Sequence, residues 1–329
     1  MKTPQPFQDF PPCPAPGQGR NIWCLEAANA CRAEGLPSIR AMEIIRQQLT
    51  RDPKAGEIER AVSKAYNADP GIKYPPPICA VYAPEVLERF AEVITDFGEG
   101  GLFQKSKVRP DECSPLEFLH AIYAPGERVL MTDEFTKREG IVWERNRDEV
   151  PYEEGEIDSL RTPRMGLGVW FLPNPITGEW LQVDRVKSPT NPRGVTMRSE
   201  ENLTAYRYMV VESDNAPTDL WIKALARLPL PITSISTSGG RSIHALIRVD
   251  AKTAQDWQEI KQRIAAPLIK LGADKGALSI VRLTRLPGCY RQETDQWQRL
   301  LYLNPAADGT PICNQPDLRP LRALGSTTN

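Results

Sequence analysis

Residues 231–250 read PITSISTSGGRSIHALIRVD. Two runs rich in β-branched and aliphatic residues flank the short segment GGRS, the pattern of two strands joined by a glycine-bearing turn. Upstream, YRYMVVESD (206–214) reads as a further strand and 219–228 as a helix. Downstream, TAQDWQEIKQRIAAPLIKLG (253–272) has helical spacing and ALSIVRLTRLPG (277–288) returns to extended structure. Strands interleaved with helices around one hairpin predict an α+β domain built on a mixed sheet.

The polar residues inside this frame carry the chemistry. The strand period of two puts Glu212 and Asp214 on one face, with Ser213 opposite. Two carboxylates at the end of an apolar strand either share a divalent cation, which relieves their repulsion, or mark the strand's run into a polar loop. Ser242 and His244 also share a face, and Gly239 and Gly240 let backbone N–H groups approach an anion. Arg241 adds a positive fork, so the turn reads as a phosphate cradle or, more plainly, as a hairpin with a half-buried histidine. In GADKGALSIVRLTRLPGCYR (272–291), Asp274 follows a helix and a glycine, while Arg282 and Arg285 precede a Pro-Gly turn. Arginine suits bidentate phosphate contacts, although a loop aspartate and two surface arginines would satisfy the same pattern.

Composition bounds what such a site serves. The 329-residue chain has 41 Lys+Arg, 42 Asp+Glu and a net charge of −1, which argues against nonspecific coating of nucleic acid. Residues 221–300 are different, with 13 Lys/Arg against 6 Asp/Glu, a local surplus of the kind polyphosphate partners require. The seven cysteines form no CxxC pair, and reduced thiols are expected. No stretch has the apolar length of a membrane span. The start lacks a signal-peptide layout, so a cytoplasmic location is expected.

The 31 prolines concentrate at the start, in YPPP (74–77) and at loop-like positions. They outline a Pro-rich leader (1–19), a helical module (20–67), a linker (68–78), a large domain (79–318) and a tail (319–329). Within the module, Cys24, Ala27, Ala28 and Cys31 form one helical stripe ended by Gly35 and Pro37. Ser38 is expected to cap a second helix with Ile39, Met42, Ile45 and Leu49 on its apolar side, and a third carries Ile58, Val62 and Tyr66. In the large domain, APEVLERFAEVITDF (83–97) and SPLEFLHAIY (114–123) look helical. GLGVWFLPNPITGEWLQVD (166–184) reads as two strands joined by a turn, and GEGGLFQKS (98–106) as a flexible loop.

The order of these features resembles the archaeo-eukaryotic primase superfamily, especially its primase-polymerase branch in phages, plasmids and other mobile elements. VVESD is similar to the family's first motif, SGGRSIH to its second and the Asp274 region to its third; NPITGEW followed by RSEENLTAYRYMVVESD is similar to the upstream part. The resemblance covers 165–303 well and 76–164 loosely. It implies an RRM-like catalytic core, with a small primase-associated helical module placed here ahead of the catalytic domain rather than after it. Such a module implies contact with template and initiating nucleotide, or recruitment of a partner.

The implied activity is metal-dependent nucleotidyl transfer on single-stranded DNA. Glu212, Asp214 and Asp274 would hold Mg²⁺ or Mn²⁺; Ser242 and His244, with Gly239 and Gly240, would seat the triphosphate of an NTP or dNTP. Arg241, Arg282 and Arg285 would contact phosphate or template. Glu212 stands where many family members have Asp, so a nucleic-acid-binding replication protein that keeps the fold without turnover is the alternative. A nickase would need a histidine pair, and the only histidines, His120 and His244, lie far apart in sequence. The sequence has no NTPase loop, so a replicative helicase is expected to be a separate chain.

Overall fold

The structure is a computed structural model and describes residues 13, 20–49, 56–66, 78, 80–138, 140–145, 168–187 and 191–317. Except for Cys13 and Ile78, the expected leader, linker and tail lie outside these residues. Two compact units divide the chain: Met1–Tyr82 with Gln258–Lys270, and Ala83–Trp257 with Leu271–Asn329.

The first unit contains helices α1 (Arg20–Ala33), α2 (Ser38–Gln48) and α3 (Glu57–Tyr66). Trp23, Cys24, Ala27, Ala28 and Cys31 bury one face of α1 against Ala41, Ile45, Ile58, Val62 and Ala65. The small residues let the helices approach closely. Gly35 ends α1 at φ +72°, with Gly35 N–H bonded to the Arg32 carbonyl and Leu36 N–H to that of Cys31. Those two bonds are a Schellman closure, which needs a residue without a Cβ at the left-handed position. Ser38 is the first residue of α2 and Pro37 its cap, with no side-chain cap bond. Ile39 is 68% exposed, and α2 buries Ala41 and Ile45. Ile45, Met42 and Leu49 of the expected stripe pack on this core, whereas Ile39 at the first turn faces outward and Ala41 is buried in addition.

The second unit begins with α4 (Pro84–Ala91), α5 (Glu99–Lys105) and α6 (Pro115–Ile122), then β1 (Arg128–Thr132), β2 (Ile141–Glu144), β3 (Trp170–Phe171), β4 (Leu181–Gln182) and β5 (Val195–Thr196). The central sheet follows, with β6 (Tyr206–Ser213), α7 (Thr218–Arg227), β7 (Ile232–Thr237) and β8 (Ile243–Ala251). Helix α8 (Ala254–Lys270) starts in this unit, its residues from Gln258 on belong to the first, and the second resumes with β9 (Thr284–Arg285), β10 (Tyr290–Arg291), β11 (Gln296–Trp297) and β12 (Leu300–Leu303).

The central sheet has the order β12-β7-β8-β6, and a second sheet has the order β2-β1-β3-β9. All strand pairings among the described residues are antiparallel. The sheet is thus not mixed in direction: β6 and β7 run the same way but β8 lies between them. Tyr208, Val210 and Leu246 on one face of the central sheet pack with Val129, Met131, Trp143 and Phe171 of the second sheet. Burial of that seam, at roughly 25 cal/mol per Å² of apolar surface, drives the two sheets together. Trp221 of α7 donates its indole N–H to the Ile243 carbonyl at 3.2 Å, and Trp257 of α8 donates to that of Tyr208 at 3.0 Å.

Several segments differ from their sequence reading. Residues 99–105, expected as loop, form α5, where Leu102 is buried and Ser106 N–H closes the last turn. β3 and β4 do not pair with each other: β3 joins β1 and β9, and β4 joins β5. In 277–288 only Thr284–Arg285 is strand, preceded by a 3-10 turn at Lys275–Ala277. No described helix is long and apolar enough to cross a membrane.

Candidate functional site

The C-terminal end of β6 meets the N-terminal end of β8, and the register pairs Glu212 with His244 and Ser213 with Ile243. Because side chains alternate, Glu212 and His244 extend the row of Tyr208, Val210 and Leu246 on the face toward the second sheet. Chain returning from α8 is tied to the same edge, since Asp274 N–H donates to the Glu212 carbonyl at 2.7 Å. Asp274 also caps the following 3-10 turn, its Oδ1 accepting from Gly276 N–H at 2.8 Å.

Glu212 is 3% exposed. One carboxylate oxygen, Oε1, accepts from the guanidinium of Arg282, while Oε2 is buried without a hydrogen bond, 3.5 Å from His244 Nε2. Burial pushes the Glu212 carboxyl above its ordinary pKa, Asp214 and Asp274 add to that push, and Arg282 opposes it. His244 is buried, and desolvation, with Arg282 and Arg285 nearby, lowers its pKa to about 3. It is therefore neutral at physiological pH. Its Nδ1 lies 2.8 Å from the Thr284 hydroxyl, so a proton on Nε2 would face Glu212 Oε2 while Nδ1 accepts from Thr284.

The glycine-bearing turn closes through Ser238 N–H bonded to the Ser242 carbonyl at 2.9 Å. Gly239 has φ +66° and is buried; Gly240 is exposed and lies close to Arg291. The Ser242 hydroxyl donates to Asp214 Oδ1, which ties the turn to the acidic end of β6. Arg241 is exposed on the turn.

Arginines line the opposite wall. The Arg282 guanidinium lies 4.6 Å from the centre of the Phe135 ring, and that of Arg198 lies 5.1 Å from the same centre. Arg285 is 3.7 Å over Trp170. Arg198 also donates to the carbonyls of Val281 at 3.0 Å and Phe135 at 2.7 Å. Burial, with other guanidiniums nearby, lowers Arg198 and Arg285 each to about 9.

Glu212, Asp214, Ser242, His244, Asp274 and Arg282 thus gather at one end of the central sheet. Arg285 stacks behind them on β9, and Arg241 lies outside on the turn. Sequence reasoning missed Arg198, Phe135, Trp170 and Asn174. Arg198 and Asn174 open two of the segments singled out above, RSEEN and NPITGEW, but no periodicity or turn chemistry marks either residue.

Among the described residues, no group of three or more His, Cys, Asp or Glu side chains stands as a ready-made metal cluster. The donors nonetheless suit a hard divalent cation: three carboxylates supply oxygen ligands, and Glu212 Oε2 is a buried acceptor without a donor. In this structure the charge beside Glu212 is the Arg282 guanidinium.

Fold and site together define an α+β protein with an acidic centre, a neutral imidazole and an arginine wall at the end of an antiparallel sheet. No protein-family model matches the chain, and no curated protein matches it. Among solved structures, the AEP domain of a primase-polymerase from cyanophage S-2L is similar at 18% identity and a TM-score of 0.35. The match covers 60% of this chain and 90% of that one.

Proposed function

We propose that this chain is a template-directed nucleotidyltransferase, a DNA primase-polymerase that synthesises or extends primers on single-stranded DNA. The observation that carries the reading is the backbone tie between Asp274 and Glu212, with His244 paired opposite. Acidic groups 62 residues apart in the chain are held at one edge beside a glycine turn.

Glu212, Asp214 and Asp274 would hold Mg²⁺ or Mn²⁺. When bound, such ions neutralise phosphate charge and lower the pKa of the attacking 3′-hydroxyl. The chain's own residues do the rest. His244, neutral and backed by Thr284, would turn the Nε2 N–H that faces Glu212 toward a phosphate oxygen without adding charge. The Ser242 hydroxyl, together with the Gly239 and Gly240 amides, adds donors at the mouth of the turn. Arg282, beside Glu212, and Arg285, behind it on β9, would meet phosphate, and the exposed Arg241 would meet template backbone. The expected partners are single-stranded DNA, NTP or dNTP, and a helicase on a separate chain.

The Arg282–Glu212 pair favours a second reading, a nucleic-acid-binding replication protein without turnover. One assay separates the two: unprimed and primed single-stranded templates with labelled NTPs and dNTPs, in Mg²⁺ and in Mn²⁺. Wild type is expected to incorporate label, and Asp214→Ala to lose at least about 100-fold, the upper end of what even an outer-shell partner of a metal site costs. DNA binding without incorporation in either metal supports the second reading. Equal activity in the two proteins removes the proposed site.

A further inference from the structure

Arg282 has two claims on its charge. Its guanidinium rests against Phe135 and reaches Glu212, while Arg198 shares the same ring and Arg285 flanks it. Arg282 pairs with Glu212, Arg285 acts on it through charge, and Arg198 crowds Arg282 at the shared Phe135 ring, so guanidinium charge gathers beside this carboxylate. Asp214 and Asp274, the other acids facing the site, engage Ser242 and the Gly276 amide instead. Glu212 is largely buried, and removing Arg282 without replacement would strand its charge. A divalent cation would supply that replacement. An arriving triphosphate would supply a new anion for the displaced Arg282.

We propose that Arg282 is an internal counter-ion that stands in for the divalent cation on Glu212 and exchanges partners when cation and triphosphate arrive together. The Phe135 face is the pivot against which the N–H fork turns from carboxylate to phosphate. This rests on the proposed nucleotidyl transfer. Its consequence is distinct from activity, because cation and nucleotide must raise each other's affinity by the same factor. The empty protein then keeps its acidic centre closed to metal alone.

The test is Mn²⁺ binding to the full-length protein, followed by the EPR signal of free Mn²⁺, with and without a non-reactive α,β-methylene dNTP. Controls containing only the analogue correct for its own chelation. Wild type is expected to bind Mn²⁺ weakly alone and about 5- to 150-fold more tightly with the analogue, the usual range of coupling between sites. Arg282→Gln should bind Mn²⁺ more tightly than wild type without the analogue and gain little from adding it. Arg282→Lys keeps the charge but loses the planar fork and should fall between; it also serves if the Gln variant fails to fold. Equal Mn²⁺ affinity in wild type and a folded Arg282 variant, with Asp214→Ala still abolishing binding, overturns the counter-ion role and leaves the proposed function standing. Absence of Mn²⁺ binding in every protein, with and without analogue, overturns both.

Discussion

Asn174 holds the candidate site in register, and replacing it should loosen the second unit. It is 2% exposed and makes four hydrogen bonds. Its Nδ2 donates to the carbonyls of Tyr208 at 3.1 Å and Ile280 at 2.9 Å; its Oδ1 accepts from the N–H groups of Arg207 and Tyr208, both at 2.8 Å. Tyr208 lies four residues before Glu212 and Ile280 two before Arg282, so one side chain ties together the segments that bring acid and guanidinium into contact. In Asn174→Ala the Tyr208 carbonyl keeps its bond from Trp257, whereas the Arg207 and Tyr208 amides and the Ile280 carbonyl lose what the side chain supplied. A buried polar group left without its partner costs about 1–3 kcal/mol, and water reaches the half-buried Arg207 more easily than the other two. The expected loss is about 3–5 kcal/mol. At about 2–4 °C per kcal/mol for a unit above 150 residues, the midpoint should fall by roughly 6–20 °C. Asn174→Asp keeps both acceptor bonds but loses both donors and buries a charge, and it should be no more stable than the alanine variant. Thermal and urea denaturation followed by circular dichroism measure both. An alanine variant within about 1 kcal/mol of wild type would refute the idea that this side chain holds the site segments together.

Two further outcomes follow from the same kind of accounting. Gly239→Ala forces a Cβ into a left-handed position 3.2 Å from the Arg291 Cβ and the Gln298 Cγ, and should cost about 2 kcal/mol. Gly240→Ala meets only the movable Nη1 of Arg291 and the Ser238 hydroxyl and should cost less than about 0.5 kcal/mol; equal losses in urea denaturation would contradict this account of the turn. On the alkaline side, burial pushes the Cys31 thiol from 9.0 to about 11. The folded state therefore holds that proton more tightly than the unfolded chain. The associated stability is complete below pH 9 and declines by up to about 1.4 kcal/mol per pH unit as pH rises toward 11. Cys31→Ala should flatten the stability curve over that window, and an unchanged slope would count against a protonated, buried thiol.

Much of the secondary structure is written locally. The alternation in VVESD and IHALIRVD, the glycine turn between strands and the spacing in 253–272 each depend on residues a few positions apart, and β6, β7, β8 and α8 form where those patterns lie. Segments without such local signatures escaped the reading. β1 and β2 border residues of low periodicity and acquire strand structure by pairing with each other and with β3. The 99–105 helix overrides two glycines because Leu102 finds a buried site.

By itself the sequence determined which residues are available for chemistry: two carboxylates on one strand face, a serine and histidine after a glycine pair, and a later aspartate and arginines. Tertiary structure alone decided their company. Glu212 and Asp274 meet through a backbone hydrogen bond between segments distant in the chain, and Arg282 reaches Glu212 while its guanidinium lies against Phe135, far from both in sequence. The physical reason is that strand period and turn preference act over a few residues. The stability of a buried charge instead depends on every group that folding brings within a few ångströms of it.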